Sequence, residues 1–160
     1  DMLVHPRDNE LVVGTHGRSV FVADVKPLQA LKDAGKSIMA FAPESIRHSE
    51  RWGQKQYPWA ETNEPKVSIL YYAGKASAAI AVEVYDEKKN LVRKLTATGA
   101  TGFQKFTWDV KVAEAAPAPA KSKSKTPVVT EPVLKYAGKG KYTIKFVSGG
   151  DSSEVVVEIK

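Results

Sequence analysis

From Val67 to Ile159 apolar and polar side chains alternate in short runs separated by turn residues, the pattern of β-strands buried on one face only. Val67-Ser68-Ile69-Leu70-Tyr71-Tyr72 forms the first run, and Ala79 to Tyr85 places Ile80, Val82 and Val84 on one face. Asp86-Glu87-Lys88-Lys89-Asn90 is a polar turn into Leu91 to Leu95. Gly99 and Gly102 precede Phe103 to Val110, where Phe106 and Trp108 share a face and Trp108 is expected in the core. Lys141 to Val147 and Glu154 to Ile159 alternate again, and Gly149-Gly150-Asp151 between them fits a hairpin. About six or seven strands with regular turn signals predict a mainly β fold, a β-sandwich of immunoglobulin or fibronectin III type. An OB-like barrel is the alternative.

The first part of the chain reads differently. Glu10 to Val25 holds two continuous apolar runs, Leu11 to Val13 and Val20 to Val22, joined by a Gly-containing turn. They predict a hairpin whose strands are covered on both faces. Lys26 to Gly35, with Pro near its start, Gly at its end, and Leu28 and Leu31 on one face, predicts one short helix. Ser37 to Ala42 suits a further extended run, and Pro43 to Pro65 is polar and aromatic without a sustained period. The expected organisation is a hairpin and helix over 1–35, a linker over 36–65 packed down through its aromatics, and a sandwich module over 66–160. Residues 113–127, rich in Ala, Pro and Lys, hold almost nothing to bury and are expected to form a mobile, solvated loop.

At 160 residues there is room for one domain or one and a half. No apolar run approaches the ~18 residues of a membrane-spanning helix, so no membrane span is expected. The chain has no cysteine, which excludes disulfides, a thiol nucleophile and thiolate metal sites. The net charge of +6 is uneven: residues 1–64 carry 8 basic and 9 acidic side chains, residues 65–160 carry 16 and 9. Nearly all the excess is scattered lysine, and Arg93 is the one arginine after residue 64, so the charge points to a solvated surface and no nucleic-acid partner is expected. Asp1-Met2-Leu3 has neither an initiator nor a leader pattern, and the sequence is expected to be a piece of a longer chain.

The stretch from Val4-His5-Pro6-Arg7-Asp8-Asn9 through Leu11-Val12-Val13-Gly14-Thr15-His16-Gly17-Arg18 to Val20-Phe21-Val22-Ala23-Asp24 resembles the last β-propeller blade of large bacterial sortilin-like, BNR-repeat "glycosyl hydrolase" proteins. Ile69-Leu70-Tyr71-Tyr72, Val84-Tyr85-Asp86, Leu91-Val92-Arg93-Lys94-Leu95 and Phe106-Thr107-Trp108-Asp109 are similar to that family's C-terminal module. The sequence departs from the family pattern at Lys88-Lys89, at Lys111 and at Asn63-Glu64-Pro65. The resemblance implies an exported, extracytoplasmic parent whose propeller precedes a sandwich, with residues 1–35 its last strands. A blade typically has four strands, so residues 1–25 are expected to pack on the sandwich or to pair with a second copy.

Several groups invite a functional reading. His16 and Arg18, in a Gly-flanked turn, suit a carboxylate or phosphate ligand, and equally a turn in which they bond neighbouring carbonyls. His5-Pro6-Arg7-Asp8-Asn9 reads as a turn held by side-chain to backbone bonds. Histidines at 5, 16 and 48 lack HxH or HExxH spacing, so no metal and no cofactor are expected. Glycoside hydrolysis needs two acids held around a cleft; Asp24 and Asp109 instead follow apolar strands, where strand-end caps sit, and no catalytic residue is assigned. Trp52, Tyr57 and Trp59, with Tyr71 and Tyr72, suit stacking on sugar rings or peptide side chains, and equally a satellite core sealing the linker. Sugar binding through the linker would need Trp52 and Trp59 exposed and coplanar. The expected role is therefore a non-catalytic structural or interaction module. The alternative is part of a glycoside hydrolase-like or carbohydrate-binding protein, with carbohydrate or protein as partner.

Overall fold

The computed structural model describes residues 1–17, 19–31, 37–113 and 134–160. Arg18, the end of the expected helix at Gly35 and the Ala/Pro/Lys segment beyond Ala113 lie outside these residues. The chain is mainly β and divides into two compact units, Asp1–Lys36 and Ser37–Lys160.

The first unit holds β1 (Met2–His5), β2 (Glu10–Gly14), β3 (Val20–Asp24) and α1 (Lys26–Leu31). The expected hairpin is β2–β3, paired from Glu10↔Asp24 to Gly14↔Val20. An additional antiparallel strand, β1, lies against the far edge of β2, giving the order β1-β2-β3. The His5–Asn9 turn between β1 and β2 is closed by the Asn9 N–H donating to the His5 carbonyl at 3.0 Å. Asn9 adopts φ 54°, a left-handed conformation asparagine tolerates well. Asp24 accepts a hydrogen bond from the Lys26 N–H at 2.9 Å, which turns the chain into α1, and Pro27 follows where its missing N–H costs nothing. The apolar runs are not covered on both faces: all of β3 is exposed, with Phe21 at 60%, and β2 is half-buried at best. The reason is local, since α1 is short and buries no residue.

The second unit holds β4 (Ile38–Ala40), β5 (Val67–Ala73), β6 (Ile80–Tyr85), β7 (Leu91–Ala97), β8 (Gly102–Trp108), β9 (Lys111–Ala113), β10 (Leu134–Tyr136), β11 (Gly140–Ser148) and β12 (Asp151–Ile159). Its antiparallel sheets run in the orders β12-β11-β6-β7 and β4-β5-β8, with β9 and β10 forming a small third sheet. The period-two reading holds: Val67, Ile69 and Tyr71 of β5, Ile80, Val82 and Val84 of β6, Phe106 and Trp108 of β8, and Val155, Val157 and Ile159 of β12 all enter one core. The two larger sheets share it, because Phe146 of β11 packs on Tyr71 of β5 at 5.2 Å between centroids and edge-on against Phe106 of β8 at 5.7 Å. Gly149 and Gly150 close the β11–β12 hairpin as a two-residue loop with φ +57° and +99°, the positive pair that a hairpin twist requires.

Residues 37–65, expected as a linker, belong to this unit. Ile38 is fully buried in the core through β4, Ile46 bridges in parallel to Ile159, and Trp52 packs on the core. An extended apolar trio too short to show a period is nonetheless enough to complete a sheet edge.

The bend after β8 is the most strained point described. Val110, β-branched and fully buried, sits at φ 57°, where such residues are rare. It is held from three sides: Arg93 Nη1 donates to Asp109 Oδ1 at 2.7 Å and to the Lys111 carbonyl at 2.9 Å, and the Ala137 N–H donates to the Val110 carbonyl at 2.8 Å.

Candidate binding site

Residues 53–63 form a miniature hairpin on the second unit. The Gly53 N–H donates to the Asn63 carbonyl at 2.9 Å, the Asn63 N–H donates to the Gln54 carbonyl at 3.0 Å, and Lys55 bridges antiparallel to Thr62. At its tip the Ala60 N–H donates to the Tyr57 carbonyl at 3.0 Å, a β-turn with Pro58 at its second position. Proline presets the backbone angle that this position needs. Trp59 is not among the positive-φ residues, which makes the turn type I rather than type II.

The hairpin is anchored at its base. Trp52 packs edge-on to His48 with centroids 4.9 Å apart and against Tyr136 at 6.1 Å. Gly53, at φ +77°, lies under the same tyrosine, and a Cβ there would stand 2.7 Å from Tyr136 Cε2. Any side chain at 53 would lift the hairpin off its support.

At the tip, Tyr57 and Trp59 stack on one another, centroids 5.3 Å apart and planes 7° from parallel. Both face solvent, at 52% and 83% exposure. The limbs of the same hairpin line an open cavity of about 610 Å³, formed by Arg51, Gln54, Lys55, Gln56, Ala60, Glu61 and Asn63, of which Gln56 and Ala60 flank the Tyr57–Trp59 tip in sequence. A cavity of that size is within the ~300–1,000 Å³ typical of small-ligand sites. Gln54 donates its amide to the Glu50 carbonyl at 3.3 Å, while no ion pair engages Arg51, Lys55 or Glu61 among the described residues.

The structure therefore joins Tyr57 to Trp59 and separates both from Trp52, which is half-buried in its own packing. Exposed, coplanar Trp52 and Trp59 are not observed. Of the other aromatics, Tyr71 is core, its hydroxyl donating to the Thr98 carbonyl at 2.6 Å while burial raises its pKa. Tyr72 packs edge-on to Phe103 at 5.5 Å.

His16 is exposed in the β2–β3 turn, which is closed by the Thr15 N–H and hydroxyl donating to the Ser19 carbonyl at 2.9 and 3.1 Å. The other member of that pair, Arg18, lies outside the described residues. Much of the acid content is engaged locally: Asp8 meets His5 at 3.0 Å and Arg7 at 3.0 Å, and Asp109 pairs with Arg93 and accepts the Lys111 N–H.

Asp86 accepts from the Asn90 side chain at 3.0 Å and its backbone N–H at 2.8 Å, and these bonds hold its carboxyl below the ordinary value of 3.8. A depressed folded-state pKa means the turn's contribution is present above pH 3.8 and lost as pH falls through the folded value. Asp86→Ala is therefore expected to lower the melting temperature at neutral pH, with the gap narrowing steadily once pH drops below 3.8. A gap that persists undiminished in strong acid would assign the effect to something other than the ionised carboxylate.

Comparison of the chain with protein-family models, with curated proteins and with solved structures finds no match.

Proposed function

We propose that the chain is a non-catalytic interaction module of a larger, extracytoplasmic β-propeller protein, in which the unit from Ser37 onward is a stable β body and the β1-β2-β3 sheet joins further strands of the parent. One observation carries this reading. Both edge strands of that sheet expose large apolar side chains, Met2, Leu3 and Val4 on β1 and Val20, Phe21 and Val22 on β3. Edge strands of self-sufficient sheets are blunted by lysine, proline or a cover, and neither strand contains lysine or proline. An apolar surface of this kind marks a contact with something else.

The resemblance of Val4 to Asp24 to a last propeller blade supplies the partner, since three strands are present and a blade typically has four. The immunoglobulin-like assignment of the second unit and the exported location belong to the same proposal. With the parent's strands absent, the same surface is expected to drive self-association. Sedimentation velocity on the isolated chain should show concentration-dependent growth, and Phe21→Lys, at a side chain 60% exposed, should return it to monomer without altering the melt of the second unit. A wild-type chain that stays monomeric at every concentration and binds no apolar dye would contradict the reading.

A further inference from the structure

We infer that the hairpin 53–63 is a recognition site for an acidic oligosaccharide, a chain of pyranose rings bearing carboxylates. The inference is independent of the propeller reading and rests on three features of one loop. First, Trp59 offers an outer ring face to solvent while its inner face is held by Tyr57, 7° from parallel. A large exposed indole whose orientation is fixed from behind is costly to leave in water, and it matches the apolar C–H face of a pyranose ring.

Second, the platform is built before any ligand arrives. The Pro58 turn, the bonds between the two limbs and the Trp52–Tyr136–Gly53 contact fix it to the body, so little loop ordering is left for binding to oppose.

Third, the cavity lined by the limbs of the same hairpin is polar, and its chemistry is selective. Gln56 and Asn63 carry amides, which both donate to and accept from sugar hydroxyls. Arg51 and Lys55 bring two cations against the single anion of Glu61, and none of the three is committed to an ion pair among the described residues. The guanidinium is suited to a carboxylate in the bidentate geometry that a planar fork allows. An apolar ligand would leave these groups desolvated, and a neutral sugar would leave the cations unused. A peptide of acidic residues alone would meet the cations but bring no ring to Trp59.

Isothermal titration calorimetry with trigalacturonate as the probe tests the assignment, with galactotriose and triglutamate as the neutral-sugar and acidic-peptide comparisons. The expected result is saturable one-to-one binding of trigalacturonate that weakens as salt rises, with galactotriose and triglutamate each binding far less tightly. Trp59→Ala and, separately, Arg51→Gln should raise the Kd roughly tenfold or more, as loss of an anchoring contact does. Both residues are exposed, so both variants should melt as wild type does. The assignment is overturned by the absence of binding heat, by binding that Trp59→Ala leaves unchanged, or by equal binding of galactotriose or triglutamate.

Discussion

Trp108→Ala is expected to cost about 3–5 kcal/mol of folding stability, the range for deleting a fully buried tryptophan. Its side chain has no solvent exposure, lies at the end of β8, and packs against Tyr142 of β11 with centroids 5.6 Å apart. The indole Nε1–H donates to the Lys111 carbonyl at 3.3 Å, the same carbonyl that Arg93 engages. Truncation therefore opens a cavity and withdraws one support from the strained bend at Val110. Trp108→Phe keeps most of the volume and loses the hydrogen bond, and should cost less. Trp59→Ala removes the same side chain from an exposed tip and should fall within about ±0.5 kcal/mol. Urea denaturation followed by far-UV circular dichroism orders the three variants, and equal midpoints for Trp108→Ala and Trp59→Ala would contradict the core described here.

Phe146→Ala is the second large effect, again about 3–5 kcal/mol. Phe146 is the side chain through which β11 meets both β5 and β8, stacked on Tyr71 and edge-on to Phe106. Such aromatic pairs contribute about 0.5–1.5 kcal/mol each beyond the area they bury. Phe146→Leu fills part of the space but forfeits both ring pairs, and should cost about 1–3 kcal/mol, less than Phe146→Ala. Denaturation midpoints separate these outcomes. A Phe146→Ala loss below that of Phe146→Leu would mean the two sheets do not share this contact.

How much of this was legible in the sequence follows from the range of the forces involved. The strands β5, β6, β8, β11 and β12 were readable because burial on one face imposes a period of two, and the Gly149-Gly150 loop because glycine marks a positive-φ hairpin turn. The strands β1, β9 and β10 are three or four residues long, too short to display any period. Ile38 read as part of an extended run, but its place at the bottom of the core depends on β5 and β12, far along the chain. The left-handed backbone of Val110 had no local signal at all, being imposed by Arg93, Asp109 and Ala137.

The candidate site divides in the same way. Tyr57-Pro58-Trp59 carries its own explanation, since a proline between two aromatics sets a turn that brings them together. Trp52 does not: its partner Tyr136 lies beyond the Ala/Pro/Lys segment, and sequence spacing grouped it with Trp59 instead. The continuous apolar runs of the first unit predict strands covered on both faces, whereas β3 is exposed along its whole length. They did not reveal that α1 is too small to provide the cover.

Amide hydrogen exchange, resolved residue by residue on the dilute monomer and then on the associated protein, tests the central claim most directly. The account predicts slow exchange in β6 and β11 in both states, because they are the inner strands of their sheet. The amides of β1 and β3 that point away from β2 should exchange close to the rate of an unfolded chain when dilute, and become protected on association. Protection of those edge amides already in the dilute monomer would mean that the sheet has no free edge to offer a partner, and would contradict the account.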